Sequence, residues 1–433
     1  MQDKYEEYRR RHPVFHYNRF SVERREGCIA LSYDFSIDGL TSFRPETIVY
    51  TDNLDMCNAC DSPVAQDIAF CLGLVELISY WKCACPPTVR IHCGHLTADE
   101  IEWWKRLWYN GLGEFFYRNG IHADQKNFLQ VQCTVPAEPR TPVPYNAKEL
   151  SLVPVGGGKD SCVTLQLLHD MHRPLMGFTV NDQAARTETF EAASYPKERI
   201  LRTKRTIAPE LLQTNKDGYF NGHTPFSAIV AFLGLYGAYT IGAEDLVLSN
   251  EASANEATVP GLDVNHQYSK SYAFESDMNT WITGRFGLPI RYFSLLRPFH
   301  ELQIAKFFSA YPQYHKAFKS CNVGSKQNIW CCNCAKCLFV YLMLKPFLSE
   351  EALIGIFGEN LMEKPSLQDD LQSLLGKNET KPFECVGTVD EATAAFNGRG
   401  LQRILNGFNR EHNIPNCYSD IIERMYNDVR SNS

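Results

Sequence analysis

The sequence predicts an α/β fold in which a parallel sheet carries helices on both faces, and three observations lead to it. The apolar run SLVPV is followed by a glycine-rich turn, a helical stretch CVTLQLLHDM and a second apolar run PLMGFTV, which reads as strand, loop, helix, strand. A long apolar helix from about Pro225 to Ile241 then precedes another short run, DLVLSN. The flanking regions follow other patterns, so the parallel sheet is expected in the middle of the chain. Ligands on such sheets sit beyond the carboxyl ends of the strands.

From about Phe15 to Tyr50, alternating and short apolar runs punctuated by Gly27 and Asp38-Gly39 predict antiparallel strands. A helix from about Val64 to Trp81, a strand from Thr88 to His92 and a helix from about Ala98 to Asn110 follow. The last carries Trp103, Trp104, Trp108 and Tyr109, whose large rings are read as packing. VPAEPRTPVPYNAKE has four prolines and marks a linker. Beyond about Leu344, LSEEALIGIF, SLQDDLQSLL and VDEATAAFNG predict short helices, with a helical tail from about Asp420 to Arg430. The expected organisation is an N-terminal α+β domain over 1–145, a sheet domain over 146–345 and a small helical region over 346–433.

A chain of 433 residues exceeds one usual core. An apolar fraction of 44% and a charged fraction of 21% are those of an ordinary folded protein. A net charge of −7 with interspersed signs disfavours a nucleic-acid partner. The opening MQDKYEEYRRRHP lacks the apolar stretch of a secretory leader, and no run of about 18 apolar residues suits a membrane span. The sixteen cysteines are therefore expected as reduced thiols in a cytoplasm.

The segment GGGKDS, Gly156 to Ser161, carries the chemistry. Three glycines between strand and helix let the backbone take positive φ and turn several N–H groups toward one anion, with the helix N-terminus aimed at the same point. Lys159 supplies mobile charge, Ser161 a hydroxyl, and Asp160 a carboxylate suited to Mg²⁺. A Walker loop needs Ser or Thr directly after its lysine, and Asp160 stands there instead. The bland alternative is a glycine turn packed for shape. GGGKDS resembles the SGGxDS signature of the PP-loop ATP pyrophosphatases, among them tRNA lysidine synthases, NAD synthetases and deazaguanine synthases, with Gly156 where the first serine usually stands. That resemblance implies an adenine nucleotide alpha hydrolase-like domain that binds ATP and releases pyrophosphate.

Further along, LSNEASANEATV follows an apolar strand, so Asn250, Glu251, Ser253, Asn255 and Glu256 should project at the carboxyl end of the sheet, with His266, Tyr268 and Lys270 on the next loop. Taken singly, each is as well read as a cap or turn former. In SCNVGSKQNIWCCNCAKC, Cys321, Cys331, Cys334 and Cys337 have spacings that close a tetrahedral zinc site with no open position, hence a structural one. Free thiols or an oxidised pair are the alternatives, and Cys332 is an ambiguous fifth sulfur. The spacing also resembles the zinc knuckle of the deazaguanine synthases. A second CxxC, Cys57 to Cys60, lacks obvious partners.

The ordered set EGCIALSYDFSIDG, GLGEFFYRN, VPVGGGKDS, NGHTPFSA, LSNEASANEA, HQYSKSYAFESD, SLLRPFHELQIA, WCCNCAKCLFV and KPFECVGT resembles the bacterial UDP-N-acetylmuramoyl-L-alanyl-L-glutamate epimerase family from about residue 15 to about residue 400. The resemblance implies an ATP- and Mg²⁺-dependent inversion of the terminal glutamate of a peptidoglycan precursor, with release of AMP and pyrophosphate. A nucleotide-sugar dipeptide would then be the partner molecule. Inversion needs proton transfer on both faces of a carbon, for which Cys385, Glu384 and His223 are candidates by type. An anionic substrate calls for cations, and Lys270, Arg297 and Lys381, with His266, occupy suitable loops. Two other readings stay open: an adenylating ligase that passes the acyl group to ammonia or an amine, and a nucleotide-binding or RNA-modifying scaffold.

Overall fold

The computed structural model describes residues 1–52, 54–137, 139–140, 144–255, 265, 267–378 and 381–431. It is an α/β protein whose eleven described strands form mixed pairings. The chain divides into two compact units, each gathered from separated segments.

The first unit comprises Met1–Lys148, Leu201–Ala243 and Thr280–Ile290. Its strands are β1 (Val14–Arg25), β2 (Cys28–Ile37), β3 (Thr41–Phe43), β4 (Glu46–Tyr50), β5 (Thr88–Ile91) and β6 (Gln130–Cys133). The predicted antiparallel set is present: β1 pairs with β2 through a turn at Gly27, and β2 pairs with β3 and β4. β5 joins β1 in parallel and β6 joins β5.

Helix Pro63–Trp81 is N-capped by Ser62, whose hydroxyl accepts from the Ala65 N–H at 3.2 Å. Among the described residues it alone is long and apolar enough to cross a membrane, and 89% of that apolar window is buried inside the fold. Apolarity on all sides suits a helix covered on all sides: it packs on β1, β2 and helix Phe226–Ile241. The tryptophans read as packing do pack, with Trp103 stacked on Trp281 at 4.3 Å and Trp104 against Phe232. Arg285 joins the same region to Asp67 and Glu100 at 2.6 and 2.9 Å.

The second unit comprises Glu149–Ile200, Glu244–Asn279 and Arg291–Ser433. β7 (Lys148–Pro154), β8 (Leu175–Val180), β10 (Ala243–Leu248) and β11 (Arg291–Ser294) lie in the order β11-β10-β7-β8, with β7 parallel to β8 and β10 to β11. β9 (Ile200–Thr206), unassigned from sequence, lies from Leu201 onward in the first unit, where it pairs antiparallel with β4.

The C-terminal helices, expected as an appendage, belong to this second unit. Leu353, Phe357, Leu371, Ile404, Met425 and Val429 enter the same core as Val153, Phe293, Leu302 and Leu338. The Tyr418 hydroxyl donates to buried Asp245 on β10 at 2.6 Å and meets the Ser151 hydroxyl on β7 at 2.8 Å. Each short amphipathic helix has an apolar face that needs cover, and here the core over the sheet supplies it.

Gly73 sits where helix Pro63–Trp81 crosses β1, and a Cβ there would lie 1.9 Å from the Tyr17 hydroxyl oxygen. Gly73→Ala should therefore cost about 1–3 kcal/mol through overpacking, read as a lower midpoint in chemical denaturation.

Candidate functional site

The loop after β7 is held open by its surroundings. The Val155 N–H donates to the Phe178 carbonyl at 2.8 Å, which fixes the strand end. Gly156 has no neighbour within 4 Å of a Cβ position, so the cradle is open there. Gly157 has φ +84°, and a Cβ would come within 2.9 Å of Ala185 Cβ, so both conformation and space call for glycine. Its carbonyl accepts from the Lys319 N–H at 2.8 Å. Gly158 caps helix Lys159–Asp170, and the Ser161 hydroxyl donates back to the Gly158 carbonyl at 2.9 Å. The N-terminal amides of that helix thus face the loop.

Lys159, the first residue of that helix, is 3% exposed, and its ammonium lies between the carboxylates of Asp160 and Glu301. Burial pulls its proton affinity down, but the two carboxylates outweigh burial and the net shift is upward. Asp160, Glu251 and Glu301 each bring a carboxylate oxygen within 4.8 Å of the others. Burial raises the pKa of both Glu251 and Glu301, and the neighbouring acids add to the effect. Such crowding is relieved by a cation. Glu301 opens helix Glu301–Ser309, and its own N–H donates to Glu391 at 2.6 Å. Gly387 lies close above, where a Cβ would stand 2.8 Å from a Glu391 oxygen and 3.2 Å from Glu301 Cγ.

A second cationic group adjoins the first. The Lys270 ammonium lies 3.2 Å from Cys385 Sγ, and Lys336 donates to the Cys385 carbonyl. Burial lowers the Lys270 proton affinity, yet Cys385 and Glu251 bring it to a net rise. Arg297 is fully buried beneath: it donates to the carbonyls of Glu251 at 2.7 Å and Lys270 at 2.6 Å and pairs with Glu275 at 3.0 Å. One guanidinium therefore fixes the backbones that carry Glu251 and Lys270.

Residues 6–295 match the family model described as the MurL N-terminal domain, and residues 316–403 match the MurL C-terminal domain. The chain belongs to the MurL family. It is similar to the UDP-N-acetyl-alpha-D-muramoyl-L-alanyl-L-glutamate epimerase of Xanthomonas oryzae pv. oryzae, at 32% identity over 393 residues, 88% of this chain and 85% of that protein. Proteins of the same name from Salinispora tropica and Micromonospora sp. are each 31% identical, over 91% and 89% of this chain and 86% and 87% of their own lengths.

In MurL-family terms, Gly156 to Ser161, Asn250, Glu251 and Lys270 fall in the N-terminal match, and Cys385, Glu384, Lys381 and the four cysteines in the C-terminal one. Arg297 and Glu301 fall between the two. Asn250 donates to the Ser294 hydroxyl at 3.0 Å, Glu384 accepts from Asn322 at 2.6 Å, and Lys381 reaches the Gly387 carbonyl at 3.4 Å. His223 belongs to the first unit, 3.4 Å from Glu114. His266 and Glu256 lie outside the described residues.

Cys321, Cys331, Cys334 and Cys337 also bring their sulfurs within 4.8 Å of one another. The hydrogen bond shared with Cys337 pulls the Cys334 thiol down to about 5, while burial pushes Cys331 up to about 11. Among the described residues no cysteine is joined in a disulfide.

Sequence reasoning missed Glu301, Glu391 and Lys336. The available signal was position: Glu301 starts an apolar helix just after a strand end. Arg297→Met leaves Glu275 buried without its cation, an arrangement that costs about 3–5 kcal/mol. Urea unfolding should register that loss even without substrate; unchanged stability with a raised KM would mark Arg297 as a substrate anchor instead.

Proposed function

We propose that this chain uses ATP and Mg²⁺ to invert the terminal L-glutamate of UDP-N-acetylmuramoyl-L-alanyl-L-glutamate, through an acyl-adenylate, on the path to peptidoglycan. The observation that carries the reading is the carboxylate trio of Asp160, Glu251 and Glu301 packed beside Lys159 at the mouth of an open glycine loop. The names of its MurL relatives supply the substrate and the inversion.

The residues suit a nucleotide with its metal. Loop amides and the helix N-terminus offer N–H donors to the terminal phosphates, and Lys159 adds charge. Three crowded carboxylates, two of them buried, fit Mg²⁺, which when bound would screen phosphate charge.

Activation answers a specific difficulty. Removing the α-proton beside an ionised carboxylate puts a second negative charge on the same few atoms. A carboxylate oxygen that attacks the α-phosphorus displaces pyrophosphate and becomes a mixed anhydride, whose carbonyl can take up the charge as an enolate. Each tenfold in rate requires about 1.4 kcal/mol off the barrier. Cys385 is the group assigned to proton transfer, because Lys270 sets a cation against its sulfur and a nearby cation favours the thiolate. Return of the proton to the opposite face inverts the centre, and water then splits the anhydride to give AMP.

Incubation with ATP, Mg²⁺ and the UDP-linked L-alanyl-L-glutamate in deuterated water should release AMP and place deuterium on the glutamate α-carbon. AMP release that requires added amine would instead favour an adenylating ligase, and ADP as product would sink the reading. Cys385→Ser should lower deuterium incorporation by about 100-fold or more while exchange of labelled pyrophosphate into ATP continues. Asp160→Asn should abolish both.

A further inference from the structure

We propose that Cys321, Cys331, Cys334 and Cys337 hold one zinc ion, and that this ion braces the glycine loop and the Glu384–Cys385 segment from one side. The ion itself does not depend on the reaction proposed above.

The sulfur geometry fits a single tetrahedral ion. Zinc–sulfur bonds of about 2.3 Å put neighbouring sulfurs about 3.8 Å apart. Cys331 and Cys337 lie 3.8 Å apart, and Cys334 and Cys337 lie 3.5 Å apart. The four are already gathered without carboxylate or imidazole, a purely soft donor set that selects zinc over Mg²⁺.

The local backbone explains why four sulfurs converge and a fifth does not. Cys332 takes φ +52°, and its thiol turns away to the Phe357 carbonyl at 3.0 Å. Cys334 caps helix Ala335–Leu344 and Cys337 lies in its first turn, where the helix dipole favours negative sulfur. The Gly324 N–H donates to Cys321 Sγ at 3.2 Å, as a thiolate ligand would invite. Lys364 adds a cation nearby, 2.9 Å from the Cys332 carbonyl.

Both ends of this cage touch the candidate site. Just before Cys321, the Lys319 N–H holds the Gly157 carbonyl, and Ser320 Cβ stands 3.5 Å from a Cβ position on Gly158. Just after it, Asn322 donates to Glu384. At the other end, Lys336, between Cys334 and Cys337, donates to the Cys385 carbonyl. The intervening loop is anchored by packing at one end only: Trp330 is buried against Phe318 and Phe357, while Val323 and Ile329 are 67% and 51% exposed. A metal clasp between Cys321 and the helix start would therefore hold the Val323 side of the loop, which the Trp330 packing does not reach.

The test uses the full chain, purified reduced. Metal analysis and native mass spectrometry should find one zinc per chain, and cobalt exchanged into the site should give a tetrahedral thiolate spectrum. Cys334→Ser should lose the metal, while Cys332→Ser should keep it. Chelation should then speed amide exchange over Gly156–Ser161 and Val386–Gly387 by roughly tenfold, with no nucleotide present. Absence of zinc, a non-tetrahedral cobalt spectrum, a Cys334–Cys337 disulfide, or loss of metal in Cys332→Ser would overturn the site. Retained zinc whose removal leaves those amides unchanged would overturn the brace. Should Cys334→Ser not fold, the cobalt spectrum of the unaltered chain decides.

Discussion

A buried lysine between two acids organises the second unit. An ammonium taken out of water needs charge partners within a few ångströms, and Asp160 and Glu301 supply them. Asp160 follows Lys159 in the chain, but Glu301 comes from the start of another helix more than a hundred residues later. Satisfying Lys159 therefore pins two helix N-termini together. Glu251 then joins the acids, and Lys270 and Arg297 follow because Glu251 must in turn be offset and held.

This constraint separates two kinds of cation that look alike in a sequence. Lys270 stands beside a thiol and a buried carboxylate, while Arg297 is wholly enclosed and spends its donors on two carbonyls and Glu275. The first can act on something that enters. The second works by holding the parts that do.

Much of this was legible beforehand for physical reasons. Gly156 to Ser161 announced itself because consecutive glycines are rare between a strand and a helix unless backbone must approach something. Glu251 was visible because it follows a strand end, and the cysteine cage because its spacing is short-range. Glu301, Lys336 and Glu391 were not visible, since charged residues in first helical turns are common for capping alone. Their relevance comes from long-range packing. The C-terminal helices misled for a related reason: amphipathic periodicity shows that a helix has a buried face, not what buries it. The partners here are β7 and β10 with their covering helices, found through Tyr418 and Asp245. Pro225–Ile241 was likewise readable as a buried helix, whereas β9 had no local signal for its antiparallel partner β4.

The threading of the second unit sets a timetable for its assembly. Its glycine loop emerges from the ribosome first, Glu251 and Glu301 later, and Cys385, Gly387 and Glu391 after both. Until those last pieces arrive, Lys270 lacks its thiol neighbour and the Glu301 N–H its carboxylate acceptor. A polypeptide grown only to Glu301 therefore has the glycine loop and its three carboxylates, but not the thiol and the glutamate that later pack beside them.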